Sequence, residues 1–179
     1  AFAHALKASA DAVICTHVSN VFGDILPISD IARLCREAGV PLIIDDRVDV
    51  AIACDAAGVH VGASDLPVAV CRKLLGPDKI VGATAKTVEA AKAAYEDGAD
   101  YLGTGAIFPT TTHVTTKVTP VSVLNDVCRA VPIPVVAIGG ITQQNVEKLA
   151  GSGICGVAVI SAIYAAKNIG QASKDLKAA

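Results

Sequence analysis

Pro134-Val135-Val136-Ala137-Ile138-Gly139-Gly140, followed sixteen residues after its last glycine by Gly156-Val157-Ala158-Val159-Ile160-Ser161, decides how this chain folds. Each run is continuous, apolar and β-branched, bounded by Gly or Pro, and too short for a helix of that apolarity. Both therefore read as fully buried parallel strands. The first stops at a glycine pair and the second at a serine. Glycine at the C-terminal end of a strand lets backbone N–H groups approach an anion closely, because no Cβ stands in the way. In a (β/α)8 barrel the loops after the last two strands form the usual phosphate pocket. The plainer reading is that Gly139-Gly140 only makes a tight turn into the next helix.

Working outward, the same unit repeats. Strands are expected over Val40–Asp45, Gly58–Gly62, Lys79–Thr84, Asp100–Phe108, Ile133–Gly140 and Gly156–Ala162. Helical patterns lie between them near Arg47–Asp55, Pro67–Leu75, Val88–Asp97, Val121–Ala130 and Gln143–Gly151. Most strand starts fall 18 to 23 residues apart, and the wider gap before Ile133 holds a loop, Pro109–Pro120. Such alternation implies parallel strands joined by right-handed crossovers. Gly76 and Gly98 sit just past helix ends. Upstream, Asp11–Val18 is a seventh strand candidate and Ile28–Ala38 a helix, with Ser29 as a plausible N-cap; residues 1–9 favour helix.

The expected architecture is one α/β domain over residues 1–179, a TIM-type (β/α)8 barrel that is incomplete or carries a substituted first quarter. Only seven βα units are visible, and the chain is shorter than the roughly 200 residues at the lower limit of that fold. A doubly wound open sheet is the structural alternative.

Composition narrows the function classes. The chain is 53% hydrophobic yet has six aromatic residues, so its core must be Val, Ile, Leu and Ala, as in parallel α/β sheets. A net charge of −2 offers no basic stripe for nucleic acid. No apolar stretch is long enough for a membrane span, and no signal-peptide pattern opens the chain. Cys15, Cys35, Cys54, Cys71, Cys128 and Cys155 fall inside helix or strand patterns without a C-x-x-C pair, which reads as reduced, buried cysteine in a cytoplasmic protein. Close ligand spacing for zinc is missing. Methionine is absent even at position 1, as expected of an excised, processed or engineered piece.

From about residue 39 onward the chain resembles the thiamine-phosphate synthase family. The resemblance rests on Pro41-Leu-Ile-Ile-Asp-Asp-Arg47, Gly58-Val-His-Val-Gly62 with Asp65 behind it, Ile80-Val-Gly-Ala-Thr84, Ala99 through Thr110, Val135 through Ile141, and Gly156 through Ser161, six motifs in order. It implies a (β/α)8 barrel that joins a hydroxymethylpyrimidine pyrophosphate to a thiazole phosphate, releasing pyrophosphate with Mg2+. The implied partners are small phosphate and pyrophosphate substrates.

The residue types suit that reaction. Asp46 and Asp65 follow two successive strands, so both carboxylates would face the same barrel mouth. Two hard oxygen ligands completed by substrate phosphate oxygens are how Mg2+ is usually held. By resemblance Thr84 offers a hydroxyl to pyrophosphate, while Thr110 and Thr112 stand beside the thiazole phosphate. Gly139, Gly140, Ile160 and Ser161 complete the phosphate pocket, and Asp45 and Arg47 belong to the substrate-binding set. The plainer alternatives are a helix cap for Asp65, a polar loop for Thr110–Thr112, a core-lining role for His60 and a rim salt bridge for Arg47. No residue is assigned a catalytic proton transfer.

Three departures from the family pattern matter. His113 stands where the family usually carries a lysine that grips pyrophosphate, and a histidine is only partly charged near neutral pH. Asp45 stands where the family has asparagine. The family's first strand and its Gln-Leu-Arg-Glu-Lys segment are absent, and the chain instead reads Ala12 through Pro27. That stretch, with Thr16-His17-Val18-Ser19-Asn20 and the following helix to Val40, resembles pyridoxal-phosphate cysteine desulfurases and related aminotransferases. A chimeric junction near residues 40–46 is expected on that basis. His17, Asn20 and Asp45 would then be relics, since the Schiff-base lysine region has no counterpart.

The expected function is a thiamine-phosphate-synthase-like transferase with its pyrophosphate side impaired. The rival readings are a non-catalytic phosphate-binding chimeric scaffold and a thiazole-tautomerase-like barrel acting through His113. An incomplete barrel leaves two strand edges open, which predicts a homo-oligomer.

Overall fold

β-branched runs become strands and alanine-rich segments become helices in the computed structural model, which describes residues 2, 6, 10–19, 23–110 and 117–179. In chain order the elements are β1 (Val13–Thr16), α1 (Ile28–Ala38), β2 (Leu42–Asp45), α2 (Val48–Ala53), β3 (Gly58–Val61), α3 (Val68–Leu75), β4 (Ile80–Thr84), α4 (Val88–Glu96), β5 (Tyr101–Gly105), α5 (Val121–Ala130), β6 (Val135–Ile138), a 3-10 turn (Val146–Leu149), β7 (Gly156–Ala158), α6 (Ser161–Tyr164) and α7 (Ile169–Ala178). The strands follow one another in chain order in one sheet. The pairings β1–β2, β2–β3, β3–β4, β5–β6 and β6–β7 are parallel. That order is the one a TIM-type α/β fold requires, and it lacks the reversal of strand order that marks a doubly wound sheet.

The chain divides into two compact units, residues 1–83 with 97–99, and residues 84–96 with 100–179. In the first, Leu42, Ile44, Val59, Val61 and Val81 on the strands pack with Ile28, Ala32 and Cys35 of α1, Val48 and Ala51 of α2 and Cys71 of α3. Each is 6% exposed or less, so the aromatic-poor composition is met by close-packed small and branched side chains. Arg72 ties the end of α3 to its surroundings: its guanidinium donates to the carbonyls of Gly76, Lys79 and Gly98 at 2.6–3.1 Å. Gly76, at φ +77°, ends that helix as expected.

In the second unit Leu102, Leu124, Val127, Val135 and Ala137 form the equivalent buried layer. The β5–β6 register sets Leu102 against Val135 and Gly105 against Ile138. Glycine is required at 105, because a Cβ there would lie 2.0 Å from the Ile138 carbonyl oxygen.

Several expectations need correction. The strands ending in Gly139-Gly140 and Ser161 are not fully buried. Val136 is half-buried and Ile138 is 41% exposed, while every residue of β7 is half-buried. β7 is the last strand in the sheet order, and the C-terminal ends of both strands open onto a cavity. The strand expected over Asp100–Phe108 stops at Gly105, and that expected over Gly156–Ala162 stops at Ala158, after which Ser161 opens α6. The helix expected over Gln143–Gly151 is reduced to the 3-10 turn at Val146–Leu149. Its first turn is taken over by the Asn145 side chain, which bonds the backbone at Thr142 and Gly140. Gly151 and Gly153, at φ +76° and +88°, end it. Ser29 lies inside α1 rather than capping it; the cap position is Pro27, without a side-chain bond. The cysteines are free, but of the six expected to be buried Cys35 and Cys71 are so, while Cys15, Cys54 and Cys128 are half-buried and Cys155 is exposed. The helix expected over residues 1–9 lies outside the described residues, except Phe2 and Leu6, which are helical.

Candidate functional site

In the second unit the strand ends surround a cavity of about 310 Å3. Thr84 at the end of β4, Thr110, Gly139 and Gly140 after β6, and Ile160 and Ser161 after β7 all line it. Six of the expected substrate-binding residues are thus brought to one place. The turn after β6 can be built only with glycine. Gly139 has φ +93°, and a Cβ there would lie 2.5 Å from the Ala106 Cβ. Gly140 has φ +66°, and its Cβ would lie 2.5 Å from the carbonyl oxygens of both Phe108 and Pro109. The backbone beside the cavity is therefore packed against its neighbours to a degree that no side chain tolerates.

Two residues the sequence reading missed belong to this region. Asn145 donates from Nδ2 to the Gly140 carbonyl at 2.9 Å and accepts the Thr142 N–H on Oδ1 at 2.8 Å, so one side chain braces the turn across both ends. Its position five residues after a glycine pair, where a side-chain amide can replace helical bonding, was the available signal. Lys86 also lines the cavity. It lies two residues past Thr84, a spacing that could have drawn attention to it. Thr112 and His113, also expected here, lie outside the described residues.

The first unit carries the other set. Asp45 ends β2, and Asp46 follows it in the left-handed region at φ +64°, which Asp tolerates better than most residues. The Asp46 N–H donates to the His60 carbonyl at 2.8 Å, fixing that bend beside β3. Asp65 lies in the turn after β3. Its carboxylate accepts the Gly62 N–H at 2.7 Å, and its own N–H donates to the Gly62 carbonyl at 3.2 Å. The helix-cap alternative for Asp65 does not hold, because α3 starts after Pro67 with no side-chain cap. A cavity of about 660 Å3 is lined by Asp46, Arg47, Ser64 and Asp65 together with Leu66 and Leu74.

Burial first, and then mutual repulsion, governs the electrostatics of this cluster. Burial, then the charges of Asp45 and Asp65, then a hydrogen bond shared with Asp65, push the Asp46 carboxyl up from 3.8 to about 6. Burial also raises Asp45; the nearby His60 partly opposes this and Asp65 adds to it. His60 is itself held down by its burial, in keeping with a lining role. Arg47 is engaged with a different carboxylate. Its guanidinium forks onto Asp49, Nε to Oδ1 at 2.8 Å and Nη2 to Oδ2 at 2.5 Å, and holds that carboxyl down at about 2.

These donors fit Mg2+. Asp46 and Asp65 are hard oxygen ligands close enough to share a hydrogen bond, and their mutual repulsion is what a divalent cation would relieve. Among the described residues no group of three His, Cys, Asp or Glu side chains could hold a metal alone. No helix among the described residues is long and apolar enough to cross a membrane.

Comparison with known proteins bears on both sets. The profile of the family described as thiamine monophosphate synthase matches residues 27–163, a span that includes positions 40–46 where a junction was expected. The chain is 58% identical over 130 residues to thiamine-phosphate synthase 2 of Streptococcus pneumoniae (strain TIGR4), covering 73% of this chain and 62% of that protein. It is 47% identical over 147 residues to thiamine-phosphate synthase of Clostridium tetani, covering 82% and 70%. The chain thus spans about 62% of the length of the pneumococcal relative it matches. Among solved structures, thiamine phosphate pyrophosphorylase from Pyrococcus furiosus superposes with a TM-score of 0.79 at 36% identity, covering 99% of this chain and 86% of that one. A 3-hexulose-6-phosphate synthase shares the fold at 16% identity, with a TM-score of 0.69. The profile match over most of the length, and relatives of this identity, establish that the chain belongs to the thiamine monophosphate synthase family.

Proposed function

We propose that this chain forms the substrate-binding body of a thiamine-phosphate synthase, joining hydroxymethylpyrimidine pyrophosphate to thiazole phosphate with release of pyrophosphate. The observation that carries this reading is the glycine-built cavity of the second unit, whose lining coincides with the residues the family pattern assigns to phosphate. Gly139, Gly140, Ile160 and Ser161 would receive the thiazole phosphate on backbone N–H groups and the serine hydroxyl. Thr110 would add a hydroxyl, with Thr112 and His113 from the adjoining loop. Thr84 would donate to pyrophosphate.

Asp46 and Asp65 of the first unit would hold Mg2+, with Asp45 beside them. Bound there, the ion would neutralise charge on the departing pyrophosphate. The remaining work would be positioning, and no protein group would need to move a proton. Arg47, forked onto Asp49, would have to leave that pair to reach an anion. Together with a histidine at 113, that supports a weakened pyrophosphate grip. An assay for thiamine phosphate with both substrates and Mg2+ tests the proposal. Turnover below that of the Streptococcus pneumoniae relative is expected, and its absence despite bound thiazole phosphate would refute catalysis.

The second reading, a non-catalytic phosphate-binding scaffold, is favoured by the same engagement of Arg47. Calorimetric titration with thiazole phosphate separates the two, since binding without turnover selects the scaffold. A tautomerase would need His113, and isomerisation that survives His113→Ala would remove it.

Two finer points accompany the proposal. A desulfurase-like origin of the segment ahead of a junction near 40–46 would rest on the Thr16-His17-Val18-Ser19-Asn20 motif and the helix behind it, and the family profile, which matches from residue 27 onward, speaks against it. A reading frame at the source locus that carries a synthase-type first strand upstream would eliminate it. Self-association is proposed at the outer edge of β1, where Ile14 is 62% exposed; a monodisperse monomer in light scattering would count against it. The six free cysteines support a cytoplasmic setting.

A further inference from the structure

We infer that Lys86 is the residue that neutralises the bound phosphate in the cavity of the second unit, and so makes the site selective for a phosphate-bearing ligand over its unphosphorylated counterpart. The inference rests on the phosphate reading of that cavity and goes beyond the residues that reading names.

Among the described residues that line the cavity, Lys86 is the one charged side chain, and none of them is an acid. The rest are small or apolar groups, such as Ala106, Ile138 and Ile141, with a few hydroxyls. A phosphate dianion placed there would gain hydrogen bonds from neutral donors but would still surrender much of its hydration. Burying a charge without an opposing one is costly, and a charge-assisted hydrogen bond is roughly twice as strong as a neutral one.

The backbone around Lys86 is fixed on both sides. Ala85 is 1% exposed and its N–H donates to the Gly103 carbonyl at 2.9 Å. Thr87 accepts the Ala90 N–H on Oγ1 at 3.2 Å, anchoring the start of α4. Lys86 therefore occupies a short, pinned span between a strand end and a helix start. Its side chain is exposed, and among the described residues it has neither an ion-pair partner nor a hydrogen-bond partner. Lys79, in contrast, is committed to Asp55 at 2.6 Å and to the Ala56 carbonyl at 2.8 Å. An ammonium on a flexible four-carbon stem, unclaimed by any carboxylate and rooted at the cavity wall, can follow a phosphate of either substrate.

The test is calorimetric titration of inorganic phosphate and, separately, of pyrophosphate into the wild-type chain, Lys86→Gln and Lys86→Arg, with melting curves confirming that all three fold. Lys86→Gln should weaken anion binding roughly tenfold to hundredfold, the range for a hydrogen bond to a charged group. Lys86→Arg should recover most of it, and added salt should weaken the wild type more than the Gln variant. In the enzyme assay, Lys86→Gln should raise KM for the substrate whose anion it meets while leaving kcat near its original value. Phosphate or pyrophosphate binding by the wild type that is unchanged in Lys86→Gln would overturn this inference and leave the phosphate reading standing. A folded wild type that binds neither anion would overturn the phosphate reading, and this inference with it.

Discussion

The cavities of the two units offer a ligand opposite kinds of lining. The first unit gathers Asp45, Asp46 and Asp65, where burial and then the charges of Asp45 and Asp65 push the Asp46 carboxyl up to about 6. A divalent cation would relieve that repulsion. Among the described residues of the second unit no acid lines the cavity; it offers backbone held open by Gly139 and Gly140, hydroxyls, and Lys86. On the proposed reading, anion affinity in the first unit would be borrowed from a metal, whereas in the second it would be built into the backbone.

The sharpest way to break this contrast is Gly140→Ala. A Cβ 2.5 Å from two carbonyl oxygens, at positive φ, should displace the turn and lower phosphate affinity on the order of a hundredfold in calorimetry. An unaffected Kd would show that the backbone is not the receptor.

In the first unit, Asp65→Ala removes both a metal-directed carboxylate and the acceptor of the Gly62 N–H. Activity should fall by roughly a hundredfold, the scale of losing one preorganised electrostatic contact. Asp65→Asn keeps an acceptor for Gly62, so it should retain the melting temperature of the parent while losing the stabilisation that Mg2+ confers. Equal Mg2+ stabilisation of parent and Asn variant would contradict the metal assignment.

A smaller effect is expected from Asn145→Ala, which leaves the Gly140 carbonyl and the Thr142 N–H without their partner. Denaturant unfolding should report a loss of about 1–3 kcal/mol, and KM for the thiazole phosphate should rise with kcat little changed. A stability loss with KM unmoved would make Asn145 structural only.

The subtlest effect is in pH. Asp46 titrates near 3.8 when unfolded and at about 6 in the folded chain, so between those values the folded state binds more protons. Its contribution therefore makes the metal-free protein less stable as pH rises from about 4 to about 6. Asp45 acts in the same direction. Asp49, held down at about 2, acts the other way, but only as pH falls below the usual carboxylate range. Asp46→Asn should reduce the decline seen in melting curves, and saturating Mg2+ should flatten it in the parent. A decline unchanged by either would show that the cluster is not what opposes folding.

Much of the fold was legible. α1 and α5 fall where their periodicity put them, and β1 through β7 appear in the expected order, because short β-branched runs between glycines have few other options. Strand ends were less legible: β5 stops three residues early at Gly105, and β7 gives way before Ser161. Where a strand ends depends on how many neighbours continue beside it, which no local pattern records. The 143–151 segment misled for a related reason, since the Asn145 amide wins the backbone partners that a helix would have used.

The parallel βα alternation, the glycines after β6 and six of the residues that line the cavity beside them were legible in the amino-acid sequence. These follow from local sterics and from motif chemistry, in which the residue type is itself the constraint. Only the tertiary structure decided which charges are free and which are spent. It commits Arg47 to Asp49, pins Gly62 with Asp65, and leaves Lys86 unclaimed at the cavity wall. The physical reason is that a charge is defined by its neighbours in space, and those neighbours are set by the packing of separate elements rather than by spacing along the chain.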